Sequence, residues 1–159
     1  MADPLHDLLT QAATHTLEGL CMALPDSIGE PMQGEAPRAA VEIGFTGPFS
    51  GSLVLRAFGS VLDEIAQTMT MADEKASESE IGDALGEIAN VVCGNLLPKL
   101  VGERTEFDVH SPIRVDTLEM ESTELSIATA VAFEFMDGRI ECQLALSDEG
   151  KKAVLEARS

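Results

Sequence analysis

The sequence predicts an α+β fold, in which a largely antiparallel sheet carries helices packed on one side. Apolar and polar residues alternate in pairs of short segments joined by tight turns, which is typical of β-hairpins. Longer apolar segments follow helical spacing instead. The length of 159 residues suits a single domain, which we expect to span residues 1–159.

Three segments in the first two thirds of the chain follow helical spacing. They lie at about 5–22, 58–71 and 78–100. The first should end before Pro25, which cannot continue a helix. A polar connector at 26–37 then leads to two alternating segments around Val41 and Leu55, joined by the turn sequence TGPFSG. We expect these two segments to form a hairpin.

The last third of the chain is predicted to be mostly strand. The expected strands lie at about 107–109, 114–120, 125–135 and 140–146. Asp137 and Gly138 should supply the positive-φ residues of a tight hairpin turn between the last two strands. Ser147, followed by two acidic residues, is a suitable cap for a short terminal helix.

Composition and charge exclude several classes of function. The net charge of −18 repels nucleic acid and anionic lipid, and the absence of Trp and Tyr leaves no platform for stacked bases. No apolar run approaches the roughly 20 residues that span a bilayer, and the start MADPLHDLL does not resemble a signal peptide. Cys21, Cys93 and Cys142 form no CxxC pair, so we expect buried thiols in a reducing cytoplasm.

The segment DALGEIANVVCGNLLPKL in the third helix carries a polar stripe. Its members are Asp83, Glu87, Asn90 and Gly94. At about 100° per residue they fall within an arc of roughly 60°. The apolar residues of the opposite side are Ile81, Leu85, Ile88, Val92 and Leu96. We therefore expect the apolar side to pack on the sheet and the stripe to point outward.

Two interpretations of the stripe are open at this point. An outward helix face is normally polar, so the stripe can be an ordinary solvated surface. Gly86 and Gly94 favour a binding surface instead, because each costs about 1 kcal/mol relative to alanine and leaves room for another backbone or a bulky group to approach.

The pattern Asp83-x-x-x-Glu87-x-x-Asn90, continuing into Gly94 and Asn95, resembles the signature helix of the CheC, CheX and FliY family of chemotaxis response-regulator phosphatases. The resemblance extends to the hairpin sequence VEIGFTGPFSGSLVLRA ahead of the helix and to Pro112 behind it. It is greatest for CheX-like proteins, which have one such site per chain.

The resemblance implies a phosphatase that acts on the aspartyl phosphate of a CheY-like response regulator. Asn90 would orient the attacking water, and Glu87 would pair with the active-site lysine of the regulator. Asp83 would support docking, and Gly94 would give clearance. The protein would need no cofactor of its own, because the regulator supplies Mg²⁺. A non-catalytic adaptor of the same fold, which binds a regulator or a flagellar or signalling partner, is the alternative.

Other features favour a single site without a metal. The first helix has Glu18 but no asparagine three residues later, so a second site is not expected. The three histidines have no metal-ligand spacing, and neither a nucleophile elbow nor a P-loop is present. We interpret the seven methionines as core residues. The resemblance is also compatible with a homodimer.

Overall fold

The computed structural model describes residues 3–32, 34–71, 73–102, 104–115 and 124–157. Within them the chain forms four helices, α1 (Pro4–Leu20), α2 (Val61–Thr70), α3 (Glu78–Val101) and α4 (Asp148–Ala157). It also forms seven strands, β1 (Ser27–Gly29), β2 (Ala39–Thr46), β3 (Gly51–Gly59), β4 (Asp108–Val109), β5 (Ile113–Arg114), β6 (Ser126–Phe135) and β7 (Gly138–Leu146).

All seven strands join one antiparallel sheet, which confirms the predicted fold class. The strand order is β1-β6-β7-β3-β2-β4, and β5 also pairs with β2. The two predicted hairpins, β2–β3 and β6–β7, lie side by side because β3 pairs with β7 along its whole length. The sheet is therefore built around these four long strands.

The helices cover one face of the sheet, as predicted. Apolar residues of alternate positions in the long strands point to this face and join the core with the apolar sides of the helices; examples are Val41, Ile43, Leu53, Leu55, Val131, Phe133, Cys142 and Leu144. The central helix α3 packs on β2 and β3, and α1 and α2 pack against α3. This arrangement leaves only a narrow part of α3 open to solvent.

The other face of the sheet carries a buried arginine. The Arg139 side chain donates to Glu141 at 2.8 Å and to Glu35 at 2.9 Å, and its guanidinium lies 4.2 Å from the centre of the Phe58 ring. The backbone N–H of Met32 donates to the same Glu141 carboxylate at 3.0 Å. These contacts hold the connector between β1 and β2 across the outer face.

Several predicted boundaries differ from the structure. The strand β1 was not predicted, because its three exposed residues have no alternation and gain their order only by pairing with β6. The second helix begins at Val61 rather than 58, since Phe58 and Gly59 continue β3. Of the predicted strand 114–120, only the beginning lies within the described residues, where Arg114 belongs to β5.

The turn between β6 and β7 lies one residue earlier than predicted. Phe135 pairs with Gly138, so the loop consists of Met136 and Asp137, and Asp137 does not have a positive φ. Gly138 has a φ of 155°. A β-carbon at Gly138 would lie 3.1 Å from Cγ1 of Val61 and closer still to the Phe58 carbonyl oxygen. The glycine is needed for this close approach rather than for a turn with two positive-φ residues.

Other local predictions are confirmed. The Ser147 hydroxyl accepts a hydrogen bond from the Gly150 N–H at 3.2 Å and caps α4. Cys21, Cys93 and Cys142 are free and buried. Burial raises the pKa of these thiols to about 11, 12 and 12 respectively, with the Glu87 charge adding to the effect at Cys21 and the Glu141 charge at Cys142. The thiols are therefore protonated at neutral pH.

By length and composition alone, α3 is apolar enough to cross a membrane. More than half of its most apolar segment is buried inside the fold, where it packs on the sheet and on the other helices. The same apolar composition is what the core helix of a compact domain requires. The composition of α3 is therefore explained by its position in the core.

Candidate functional site

The start of α3 is fixed by a capping box. The Glu80 N–H donates to the Ser77 hydroxyl at 3.2 Å, and the Ser77 N–H donates to the Glu80 carboxylate at 3.0 Å. In addition, Arg38, the residue before β2, donates to Glu78 at 2.6 Å and to Asp63 of α2 at 3.3 Å. These contacts tie the first turn of α3 to the sheet and to α2, so the rotation of the helix about its axis is set at this end.

The four predicted site residues share one exposed face of α3. From Ile81 to Leu97, the exposed positions of the helix are Asp83, Glu87, Asn90 and Gly94. The residues predicted to face the sheet are all buried: Ile81, Leu85, Ile88, Val92 and Leu96. The predicted placement of the stripe is therefore confirmed. We call these four residues the α3 stripe.

The α3 stripe is narrow because neighbouring elements cover both of its sides. A β-carbon at Gly86 would lie 3.4 Å from Cβ of Pro112, so this glycine makes room for the segment before β5. The close approach that Gly86 was expected to permit is therefore made by Pro112 of the same chain, and no partner is needed to explain this glycine. A β-carbon at Gly94 would meet nothing within 4 Å, so this position does leave open space.

A groove runs along one side of the stripe. It has a volume of about 370 Å³, and its lining includes Asp83, Glu87 and Asn90 from α3 and Pro112 and Arg114 from the segment around β5. Sequence reasoning found Pro112 through the family resemblance but missed Arg114. The only signal for Arg114 was its position two residues after that proline.

The stripe carboxylates carry no ion pair within the described part of the chain: neither Asp83 nor Glu87 has a cation nitrogen within 4.0 Å there. In the same part of the chain, no three His, Cys, Asp or Glu side chains come together as metal ligands would. The two carboxylates are therefore available to a cation that belongs to another molecule.

The two asparagines of the chain have different environments. Asn95 donates to the Thr16 hydroxyl of α1 at 3.2 Å, and that hydroxyl donates to the Ala12 carbonyl at 2.8 Å. Asn90 is exposed on the stripe. Asn95 therefore joins two helices, whereas the amide of Asn90 is left for solvent or a partner.

The first helix does not provide a second stripe. Glu18 is exposed on α1, but the residue three positions later is Cys21, which is a buried thiol. The pairing of an exposed carboxylate with an exposed amide one turn later therefore occurs once, on α3, within the described residues.

The burial of the methionine side chains differs from the prediction. Of those in the described residues, Met22, Met32, Met71 and Met136 are exposed, and Met69 is partly buried against the core. The interpretation of the methionines as core residues is therefore wrong for the first four and holds in part for Met69. The hydrophobic core between the helices and the sheet consists mainly of Leu, Ile, Val, Phe and Ala side chains instead.

Solved structures of chemotaxis proteins have the same fold. The structure of CheX from Desulfovibrio desulfuricans has a TM-score of 0.73 at 16% identity, covering 91% of this chain and 100% of that chain. A chain of the CheX–CheY–BeF₃–Mg²⁺ complex from Borrelia burgdorferi has a TM-score of 0.72 at 17% identity, covering 89% and 97%. FliY from Thermotoga maritima has a TM-score of 0.58 at 15% identity, covering 99% and 96%.

The antiparallel sheet with helices on one face, and the carboxylate-and-amide stripe on its central helix, define a protein of the CheC-like α+β class. None of the curated proteins matches this sequence. The family model described as "Chemotaxis phosphatase CheX" matches residues 39–136, from the start of β2 to the turn after β6. The chain therefore belongs to the CheX family.

Proposed function

We propose that this chain removes the phosphoryl group from the aspartyl phosphate of a CheY-type response regulator. The observation that carries the proposal is the α3 stripe, in which Glu87 and Asn90 lie one turn apart and exposed on a helix that is otherwise largely buried. Membership of the CheX family supports the same activity. In the Borrelia burgdorferi complex, a protein of this family is bound to CheY with BeF₃ and Mg²⁺.

Asn90 has the chemistry for positioning a water molecule. An amide both donates and accepts hydrogen bonds and does not titrate, so it can orient a water at any physiological pH. In the proposed step the water oxygen attacks phosphorus, the bond from phosphorus to the aspartate oxygen breaks, and the aspartate leaves as a carboxylate. The products are inorganic phosphate and a proton. Most of the catalysis of such a transfer is positioning and charge stabilisation.

Glu87 has the position and charge for docking. It lies one turn before Asn90 and has no ion pair among the described residues. In the proposed complex it pairs with the active-site lysine of the regulator, which fixes the distance between the docked helix and the phosphoryl group. Asp83 extends the acidic surface by one more turn, and the open space at Gly94 gives clearance for the partner.

The proposed reaction needs no cofactor from this chain. The regulator supplies the Mg²⁺ that neutralises the phosphoryl oxygens, and this chain supplies the amide. Because the proposed partner is a phosphorylated response regulator, we also propose a cytoplasmic location, which the three free thiols support. That it binds no nucleic acid and no membrane, and that it forms a homodimer, stay predictions.

The test is phosphate release from a CheY-type regulator of the same organism. The regulator is phosphorylated with a small phosphodonor, freed of excess donor, and mixed with this protein at a low molar ratio in the presence of Mg²⁺. We expect the rate of phosphate release to rise in proportion to the protein added. If the protein binds the regulator but does not accelerate release, the adaptor alternative is correct and the phosphatase is not.

A further inference from the structure

Two methionines have an unusual backbone conformation. Met22 follows α1 with a φ of 54°, and Met71 ends α2 with a φ of 55°. Among the non-glycine residues that the structure describes, these two are the ones with a positive φ. Glycine is the usual residue at such a helix end, and another residue costs roughly 1–2 kcal/mol there. Both positions therefore hold a residue that local backbone energetics disfavours.

Both methionines are also almost fully exposed. Met22 is 81% exposed and Met71 is 90% exposed, so neither side chain gains stability from burial in the core. A residue that is strained and also exposes apolar surface contributes little to folding. Such departures from local preference are expected at functional positions.

The two side chains lie at the same groove. It is formed where the C-terminal ends of α1 and α2 meet the first half of α3, and it has a volume of about 590 Å³. Its apolar lining comes from Leu20, Met22, Met69, Met71 and Ala84. We call it the methionine groove. Flexible, polarisable methionine side chains are suited to surfaces that adapt to a partner.

The rim of the methionine groove is acidic and continuous with the α3 stripe. Glu80, Asp83 and Glu87 line it, and the last two also line the groove on the other side of the stripe. A protein that covers Glu87 and Asn90 would therefore also meet the methionine groove. The acidic rim favours an occupant that carries a positive charge beside its apolar part.

We propose that the methionine groove receives an apolar side chain of the docked response regulator, from a segment that also carries a lysine or arginine. This inference rests on the proposed function and adds a second contact to it. A second copy of this chain is a poorer occupant, because each copy has a net charge of −18 and would bring the same three carboxylates to the interface. The apolar contact would increase the affinity for the regulator, and Asn90 would orient the attacking water.

The test replaces both methionines with glycine, the residue that the backbone prefers at these positions. The double variant Met22→Gly/Met71→Gly should unfold at the same temperature as the wild type or higher. Its affinity for the regulator carrying beryllofluoride and Mg²⁺ should fall about tenfold, because two apolar contacts are lost. In the phosphate-release assay KM should rise about as much, with kcat changed less than about twofold.

The matched control is Met136→Gly. Met136 is 97% exposed in the turn between β6 and β7, and it does not line the methionine groove. This variant should bind the regulator and release phosphate as the wild type does. An affinity of the double variant equal to that of the wild type would overturn the inference. So would sedimentation showing a wild-type dimer that the double variant cannot form, since the groove would then bind a second copy.

The outcomes separate this inference from the proposed function. If the wild type releases phosphate and the double variant binds the regulator equally well, only the methionine groove is wrongly assigned. If the wild type neither binds the regulator nor accelerates phosphate release, both the proposed function and this inference are wrong. If it binds without accelerating release, a weaker affinity of the double variant still supports the groove as a contact of the adaptor.

Discussion

The guanidinium of Arg114 faces the backbone of α3 at Gly82. A β-carbon at Gly82 would lie 2.7 Å from Cζ, 2.8 Å from Nη1 and 2.9 Å from Nε of Arg114, and three similar distances mean that the guanidinium plane faces the helix. Among the described residues that line the groove beside Asn90, Arg114 is the one with a positive charge. Gly82 therefore gives this cation its position at the groove.

Gly82→Ala should move the Arg114 side chain without a large loss of stability. The methyl group displaces the flexible end of an arginine, and the helix gains about 1 kcal/mol from alanine. We expect the free energy of unfolding in urea to change by less than about 1 kcal/mol. In an Arg114→Ala background the same substitution should stabilise the protein, because the clash is gone. Destabilisation in both backgrounds would show that Gly82 is needed for another reason.

Asn90→Ala should lower the rate of phosphate release by about two to three orders of magnitude, the scale of losing one positioned donor in a transition state. Asn90 is exposed, so the thermal unfolding temperature should hardly change. The control is Asn95→Ala, which removes the bond to Thr16 and should cost about 1 kcal/mol of stability with little effect on turnover. A slow Asn95 variant and an active Asn90 variant would reverse the assignment.

Glu87→Lys should weaken binding of the regulator as well as turnover, because it places like charges together at the proposed lysine contact. Glu87→Gln should keep part of the hydrogen bonding and therefore part of the affinity. Titration with the regulator carrying beryllofluoride and Mg²⁺ measures both. Glu30→Lys makes the same charge change in the connector beside the outer face of the sheet and should leave the affinity unchanged. Equal affinities for the wild type and Glu87→Lys would remove Glu87 from the interface.

Gly94→Leu should leave the fold intact and weaken docking of the regulator. Nothing lies within 4 Å of a β-carbon at this position, and leucine is the better helix former, so the protein should become more stable by several tenths of a kcal/mol. The added bulk on the α3 stripe should reduce the affinity for the regulator. Gly94→Ala is the control, since it gives the helical gain with little bulk. If Gly94→Leu binds normally, the partner does not cover this end of the stripe.

The raised thiol pKa values predict a loss of stability at high pH. In the unfolded chain a thiol deprotonates near its ordinary pKa of 9.0, whereas in the folded protein burial keeps the pKa of Cys93 and Cys142 at about 12. Above pH 9 only the unfolded state releases these protons, so the free energy of unfolding should fall as the pH rises from 9 to 12. Urea denaturation at pH 8 and pH 10 checks the direction. Cys142→Ala should reduce the slope, and an unchanged slope would contradict the burial effect.

The part of the site that could be predicted from sequence depends on a single helix. The outward direction of Asp83, Glu87 and Asn90 follows from helical periodicity, which needs no knowledge of distant residues. The contact between Gly82 and Arg114 joins residues far apart in the chain and depends on how β5 pairs with β2. Local patterns carry no information about that pairing, so this contact could not be predicted.

The methionine groove was missed for a different reason. Methionine is compatible with both cores and surfaces, so its identity alone does not predict where it lies. The positive φ of Met22 and Met71 has no sequence signal, because glycine is the residue that usually marks such a position. The strand β1 is similar in this respect, since its order comes from pairing with β6 rather than from its own three residues.

The capping box at Ser77 has a consequence for how this family member can evolve. The cap fixes where α3 begins, and each residue added after it turns the rest of the helix by about 100°. One inserted or deleted residue between Ser77 and Asn90 would rotate the amide away from the solvent-facing side and bring a buried apolar residue to the surface. The number of residues in this window is therefore constrained independently of which residues occupy it.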